Sequence, residues 1–274
     1  MSAADAVVTR DPGTPVGGRP HRIGPRARAL LVVEVCLVLA LSLGQSAVYA
    51  VVNLVAAATA PGPLASHQAV MNGSLAPGRE NLDLVLQVLA IGFGLVPAAL
   101  AGYLLVRGGT SLTSIWYAKG TLVRDGGRGF VLAAAIGSAG IVFYLVTHAV
   151  GVDLTVVAEA MPQVWWRIPV LVLAAIQNAL LEEVVLLGYV VPRLQQLGIG
   201  SRLSVALAAL LRGSYHLYQG LGGFLGNVVM GLVFGVLYTR WHRITTMVVA
   251  HTLLDVFAFV GYLLLAGHVS WLPH

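Results

Sequence analysis

Long apolar runs, one after another, constrain this chain more than any other feature. Several exceed the roughly eighteen residues that mark a membrane-spanning helix. Over 274 residues the chain is 58% hydrophobic and only 10% charged, with a mean hydropathy of +0.85, whereas soluble domains are about 25% charged. A water-soluble globule, a disordered chain, a collagen and a coiled coil are all excluded. The expected class is all-α, a polytopic membrane helical bundle. The single cysteine, Cys36, can form no disulfide within the chain.

Measured against a hydrocarbon layer of about 30 Å, the runs predict seven spans, at 29–58, 82–106, 129–151, 168–191, 203–219, 223–240 and 244–267. The segments Ser111–Tyr117 and Leu154–Trp166 are candidates for a partial or interfacial helix, and with them an eighth crossing. Residues 1–28 hold five arginines among Pro, Gly and Thr, a composition that buries too little apolar surface to offset the entropy of ordering. The expected organisation is a disordered basic cytoplasmic tail at 1–28, followed by a transmembrane helical domain at 29–267. A cytoplasmic amino terminus gathers thirteen of the sixteen basic residues on one side, as the positive-inside rule requires. The expectation is therefore a multi-pass integral protein of the plasma membrane, N-in and C-out, with Glu34 paired to the tail arginines. The tail suits anionic lipid headgroups of the bilayer and not nucleic acid, since no folded basic surface accompanies it.

Ionisable residues inside the spans carry the chemistry. A charge at the bilayer centre costs from about 2.5 to over 10 kcal/mol, so each is a functional hypothesis. Span four carries Glu182 and Glu183, span five Arg212 and His216, span seven His251 and Asp255. At 1.5 Å per residue, Glu182, His251 and His216 lie roughly 14, 12 and 21 Å from the inner ends of their spans. Three helices can thus meet in one polar chamber near the membrane middle, expected to open toward the cytoplasm. His251 and Asp255 share one helix face at i,i+4, as do Arg212 and His216. Glu182 and Glu183 lie about 100° apart around their helix, so one can face the reacting centre while the other is held by a partner. A carboxylate beside a neutral imidazole is a general-base arrangement, and a second imidazole with Asp255 can stabilise an oxyanion. Amide hydrolysis needs these parts.

In order and spacing these residues resemble the CPBP, or ABI, intramembrane proteases, relatives of the CAAX prenyl endopeptidase, over about 168–267. That family's motifs are Glu-Glu-x-x-x-Arg, Phe-x-x-x-His and His-x-x-x-Asn/Asp. Here they read Glu182-Glu183-Val184-Val185-Leu186-Leu187, Arg212-Gly213-Ser214-Tyr215-His216 and His251-Thr252-Leu253-Leu254-Asp255. The resemblance implies an endopeptidase that hydrolyses a bond in a membrane-associated peptide or protein, of the CAAX-processing or the bacteriocin and signal-peptide kind. Glu182 and His216 would activate water, His251 and Asp255 would stabilise the oxyanion, and Glu183 would support them. Two mechanisms share these residues: one with a divalent metal such as zinc, for which Glu182, His216 and His251 are the candidate ligands, and one without metal. Leu187 replaces the motif arginine and Arg212 the motif phenylalanine, which suggests that the guanidinium lost from span four is resupplied from span five as a partner for Glu183.

Two rival functions use the same residues. A proton-coupled transporter would run them as a relay, and a non-catalytic relative would bind and shield a membrane partner. The absence of an inverted repeat argues against the first, and the missing motif arginine favours the second. No H-E-x-x-H helix, G-x-S-x-G elbow or phosphate loop is present, so serine and nucleotide-driven mechanisms lack their residues. Gly222-x-x-x-Gly226 and Gly231-x-x-x-Gly235 are expected to serve helix packing.

Overall fold

The computed structural model describes residues 24–111, Thr113, Trp116, 121–265, 268 and 269; the expected tail at 1–23 and most of the Ser111–Tyr117 segment lie outside the described residues. The chain is a bundle of α-helices in a membrane. It opens with α1 (Pro25–Ala40) and α2 (Leu43–Thr59), bent by 52° at their junction. At the bend the Ser42 hydroxyl turns back to the Val38 carbonyl at 2.6 Å, a local bond that competes with the helix ladder. Pro25 occupies the first turn of α1, where its missing N–H costs nothing, so the last four residues of the expected tail are helical.

The bundle continues through α3 (Glu80–Gly94), α4 (Val96–Arg107), α5 (Leu122–Ala149), α6 (Arg167–Glu183), α7 (Val191–Gln196), α8 (Ser201–Tyr215), α9 (Leu221–Trp241) and α10 (Thr245–Leu265). A π-helical stretch, Val184–Val190, joins α6 to α7, and all seven of its residues are buried. Two short strands, β1 (Gln68–Val70) and β2 (Thr155–Val157), pair in parallel.

Contacts between loops sort the two ends of the bundle. At one end β1 pairs with β2, while Leu154 and Leu221 exchange backbone bonds with Gln219 and Val152, joining the loop after α5 to the α8–α9 turn. At the opposite end Arg193 bonds the Leu104 carbonyl, Arg128 lies over Trp241 and Thr245 bonds the Trp116 carbonyl.

Among the described residues, five helical stretches are long and apolar enough to cross a membrane, and the bent α1–α2 pair makes a sixth. The fifth expected span, 203–219, is the exception. Its helix α8 ends at Tyr215 after 15 residues, roughly 22 Å of rise and short of a 30 Å layer. A 3-10 turn at Leu217–Gln219 and Gly220 at φ +115° complete its path to the ribbon end. The Leu154–Trp166 segment contains no helix, because its β-branched Thr155, Val156 and Val157 form β2 instead. Among the described residues Glu34 pairs with Arg193, at 3.1 Å, and with the Tyr189 hydroxyl, at 2.8 Å, and not with Arg26 or Arg28.

Close approach of α8 and α9 sets the position of the polar residues. A Cβ on Gly231 would lie 2.9 Å from the Ala209 Cα and 3.2 Å from the Arg212 Cδ, and one on Gly235 would lie 2.5 Å from Val205. These glycines let the backbones nearly touch. At the start of α9, Asp153 accepts the Gly222 N–H at 2.7 Å and the Thr147 hydroxyl, supplying the anion that a helix N-terminus favours. Replacing Gly231 with valine should therefore part α8 from α9, lowering stability by about 1–3 kcal/mol through overpacking. Thermal unfolding in detergent measures the loss, and an unchanged midpoint would show that the two helices are not locked at this residue.

Candidate active site

Glu183 closes α6 and is wholly buried, at 0% exposure. An uncompensated carboxylate there would be untenable in hydrocarbon. Its Oε1 takes two donors: Arg212 Nη2 from α8, in a close ion pair, and His251 Nδ1 from α10 at 2.8 Å. Arg212, itself 1% exposed, also stacks its guanidinium 5.4 Å from the Phe234 ring of α9. Four helices are thereby tied to one carboxylate. The guanidinium reaches Glu183 from span five, as the exchange of Leu187 and Arg212 leads one to expect; Leu187 lies in the apolar core.

Glu182, about 100° further round the helix, points elsewhere. Its Oε2 accepts the Tyr215 hydroxyl at 2.6 Å and lies 3.9 Å from both His251 Nε2 and Arg212 Nη2. His251 Nε2 is also 3.6 Å from Asp255 Oδ1, and Asn178 reaches Asp255 at 3.4 Å. The His216 ring, at the end of α8, bonds the Arg212 carbonyl through Nδ1 at 2.9 Å. A carbonyl can only accept, so Nδ1 carries a proton, and the neutral form of the ring then has its lone pair on Nε2.

Glu182, His216, His251 and Asp255 line one chamber of about 260 Å³, walled also by Asn178, Tyr215 and Tyr218. Glu183 and Arg212 stand behind this wall and are not part of the lining. The chamber's remaining walls come from Leu181 of α6 and Phe259 of α10, from Leu43 and Ser46 of α2, and from Met71 and Asn72 after β1. Its lining thus draws on the ribbon end and on no loop of the opposite end. The reason is the chain path: His216 terminates α8 at the turn that meets the ribbon end.

Tyr215 and Asn178 were missed in the sequence. Both carried a signal in their spacing: Tyr215 is i+3 from Arg212, and Asn178 is i−4 from Glu182, each on the face of a residue already singled out.

Glu182, Glu183 and His251 bring possible metal-donor atoms within 4.8 Å of one another. Glu183 Oε1 is already engaged by Arg212 and His251, so the better donors are Glu182 and His251 Nε2, with Asp255 beside them. A histidine whose other nitrogen is held by a carboxylate, as Glu183 holds Nδ1, is the usual setting of a metal-bound imidazole. The donor set therefore fits a divalent cation.

Removing one partner from a buried pair costs about 3–5 kcal/mol. Arg212→Phe should lose stability on that scale and all function, because Glu183 is left buried and uncompensated. Adding Leu187→Arg should restore both, since an arginine one turn along can return to Glu183. Thermal unfolding and the activity assay check the pair, and no recovery in the double variant would refute the exchange.

Residues 164–257, about a third of the chain, match the family model described as Type II CAAX prenyl endopeptidase Rce1-like. Among curated proteins and among solved structures nothing matches the chain. The matched stretch runs from just before α6 into α10 and contains every residue of the polar cluster.

Proposed function

We propose that the chain is an intramembrane endopeptidase whose water is activated between Glu182 and His216. The supporting observation is the shared chamber, in which a carboxylate, a proton-free imidazole nitrogen and a second imidazole face one another away from lipid. Glu182, steadied by Tyr215, takes the proton of the attacking water. His216 Nε2 aligns that water through its lone pair. His251, held at Nδ1 by Glu183, directs Nε2 toward the developing oxyanion with Asp255 and Asn178 fixing the ring side. Glu182 then returns the proton to the leaving amine, so that the carboxylate ends as it began.

The substrate is a membrane-associated peptide or protein. A CAAX-type carboxy-terminal peptide is the first candidate by family, and bacteriocin or signal peptides are the second. Arg107, Arg124, Arg128, Arg202, Arg240 and Arg243 all belong to the end opposite the ribbon, which supports a cytoplasmic placement of that end and of the amino terminus. In proteoliposomes offered a library of apolar peptides, half of them farnesylated, the protein should release products that incorporate oxygen from labelled water. Glu182→Gln should lower kcat by about 10²–10⁴ while leaving thermal stability nearly unchanged. Cleavage that survives this change would overturn the assignment. Proton-driven uptake without cleavage would make the chain a transporter, and neither activity would make it a binding protein.

Charge favours a second reading of the same cluster. With Arg212 offset by Glu183, Glu182 and Asp255 carry two negative charges, the complement of one divalent cation. Glu182 and His251 would hold it, with His216 and Asp255 at hand, and a bound cation would acidify its water ligand. Equilibrium dialysis against zinc should then load about one ion per chain, with the ion lost in Glu182→Gln and His251→Gln but kept in Tyr218→Phe. Absence of stoichiometric loading assigns water activation to Glu182 and His216 alone.

A further inference from the structure

The two-stranded ribbon has one closed edge and one open edge. In the parallel register Gln68↔Thr155, Ala69↔Val156 and Val70↔Val157, the bonds Thr155 N–H to His67 carbonyl and Met71 N–H to Val157 carbonyl fix which groups face inward. His67, Ala69 and Met71 direct their backbone groups at β2; Gln68 and Val70 direct theirs away from it. On the far side of β2 the corresponding positions are closed: the Val156 N–H bonds the Tyr144 hydroxyl at 3.1 Å and the Leu154 N–H bonds the Gln219 carbonyl at 3.0 Å. On the far side of β1, no group among the described residues bonds the backbone N–H or C=O of Gln68 or Val70, and Val70 is 47% exposed. Proteins usually guard such an edge with a charge, a proline or a covering segment. The sequence of β1, Gln-Ala-Val, supplies neither charge nor proline.

The open strand leads directly into the chamber. Met71 and Asn72, the next two residues, form part of its wall. Asn72 is clamped to the continuation of β2, donating from Nδ2 to the Ala158 carbonyl at 2.9 Å and accepting the Ala160 N–H at 2.7 Å. An extended chain laid along Gln68 and Val70 would thus be in register with a rigid guide that ends over Glu182, His216 and His251.

We propose that the free edge of β1 is the substrate-docking strand: an extended segment of the peptide pairs with the backbone of Gln68 and Val70, making a third strand, and is delivered past Met71 and Asn72 to the chamber. This deepens the endopeptidase reading and rests on it. Two free residues offer up to four backbone bonds, too short an edge for a stable strand exchange between two copies of the chain but sufficient to orient a peptide whose affinity comes mainly from its apolar side chains. The mode is tolerant of sequence, since main-chain groups do the recognition. It also straightens the peptide, exposing its carbonyls to attack.

The test uses the full-length protein in proteoliposomes and the peptide cleaved fastest in the library assay. Val70→Pro removes an outward N–H and leaves the β1–β2 bonds in place, because Val70 makes none of them. It should raise KM about threefold to tenfold with kcat little changed. Single N-methylation along the peptide, assayed with the unaltered protein, should weaken cleavage at alternate positions only, the period of a strand; this second measurement holds even if Val70→Pro fails to fold. Normal cleavage with an unchanged KM in folded Val70→Pro, or an N-methyl scan without alternation, would overturn the docking strand and leave the endopeptidase intact. No cleavage of any peptide by the unaltered protein would overturn both.

Discussion

A carboxylate with no access to water, Glu183, organises this bundle. Buried charge is tolerable only when donors surround it, and here they come from two other helices: Arg212 on α8 and His251 on α10. The demand fixes where those helices stand and how they are rotated. It also accounts for the glycines of α9, because Arg212 can reach across only if its backbone and that of α9 nearly touch at Gly231. The apolar core supplies most of the contact area but little direction, since hydrocarbon side chains pack about as well against lipid as against one another. Directionality comes from the polar cluster.

The same cluster separates two tasks that adjacent glutamates might otherwise share. Glu183 is held through Oε1 by Arg212 and His251 and stands behind the chamber wall, whereas Glu182 meets a tyrosine hydroxyl and the chamber. One residue's rotation around a helix is enough to make one acid structural and its neighbour available for chemistry. His251 links them, bonded to Glu183 through one nitrogen and facing Glu182 and Asp255 with the other.

Much of this arrangement was legible in the sequence because charges in apolar spans have few places to go. Glu182, Glu183, His216, His251 and Asp255 could be grouped by depth and by i,i+4 spacing, and the partnership of Arg212 with Glu183 followed from a missing arginine at Leu187. Features that depend on long-range geometry were not legible. The ribbon joins residues far apart in the chain through three-residue strands too short to show a period. Glu34 lies close to tail arginines in sequence yet finds Arg193 and Tyr189 in space. Helix α8 looked like a full span because the 3-10 turn that follows it is as apolar as a helix end, and backbone hydrogen bonding, not composition, tells the two apart. Which loop walls the chamber followed from the chain path, about which depth counts carry no information.

The π-helical stretch between α6 and α7 has a consequence for how this helix can vary. Each wide turn takes up about one extra residue relative to an α-turn, so the phase of everything beyond it is shifted by about 100°. Upstream of it stand the two glutamates; downstream stand Tyr189, within its last turn, and Arg193, both committed to Glu34 on α1. The stretch works as a phase coupler between the end that carries the glutamate pair and an anchoring end of a single rod. A lineage that trimmed one residue from it would gain regular hydrogen bonding and lose the alignment of one end or the other, so its irregularity is retained by geometry although, Tyr189 apart, it consists of ordinary apolar core residues and one glycine.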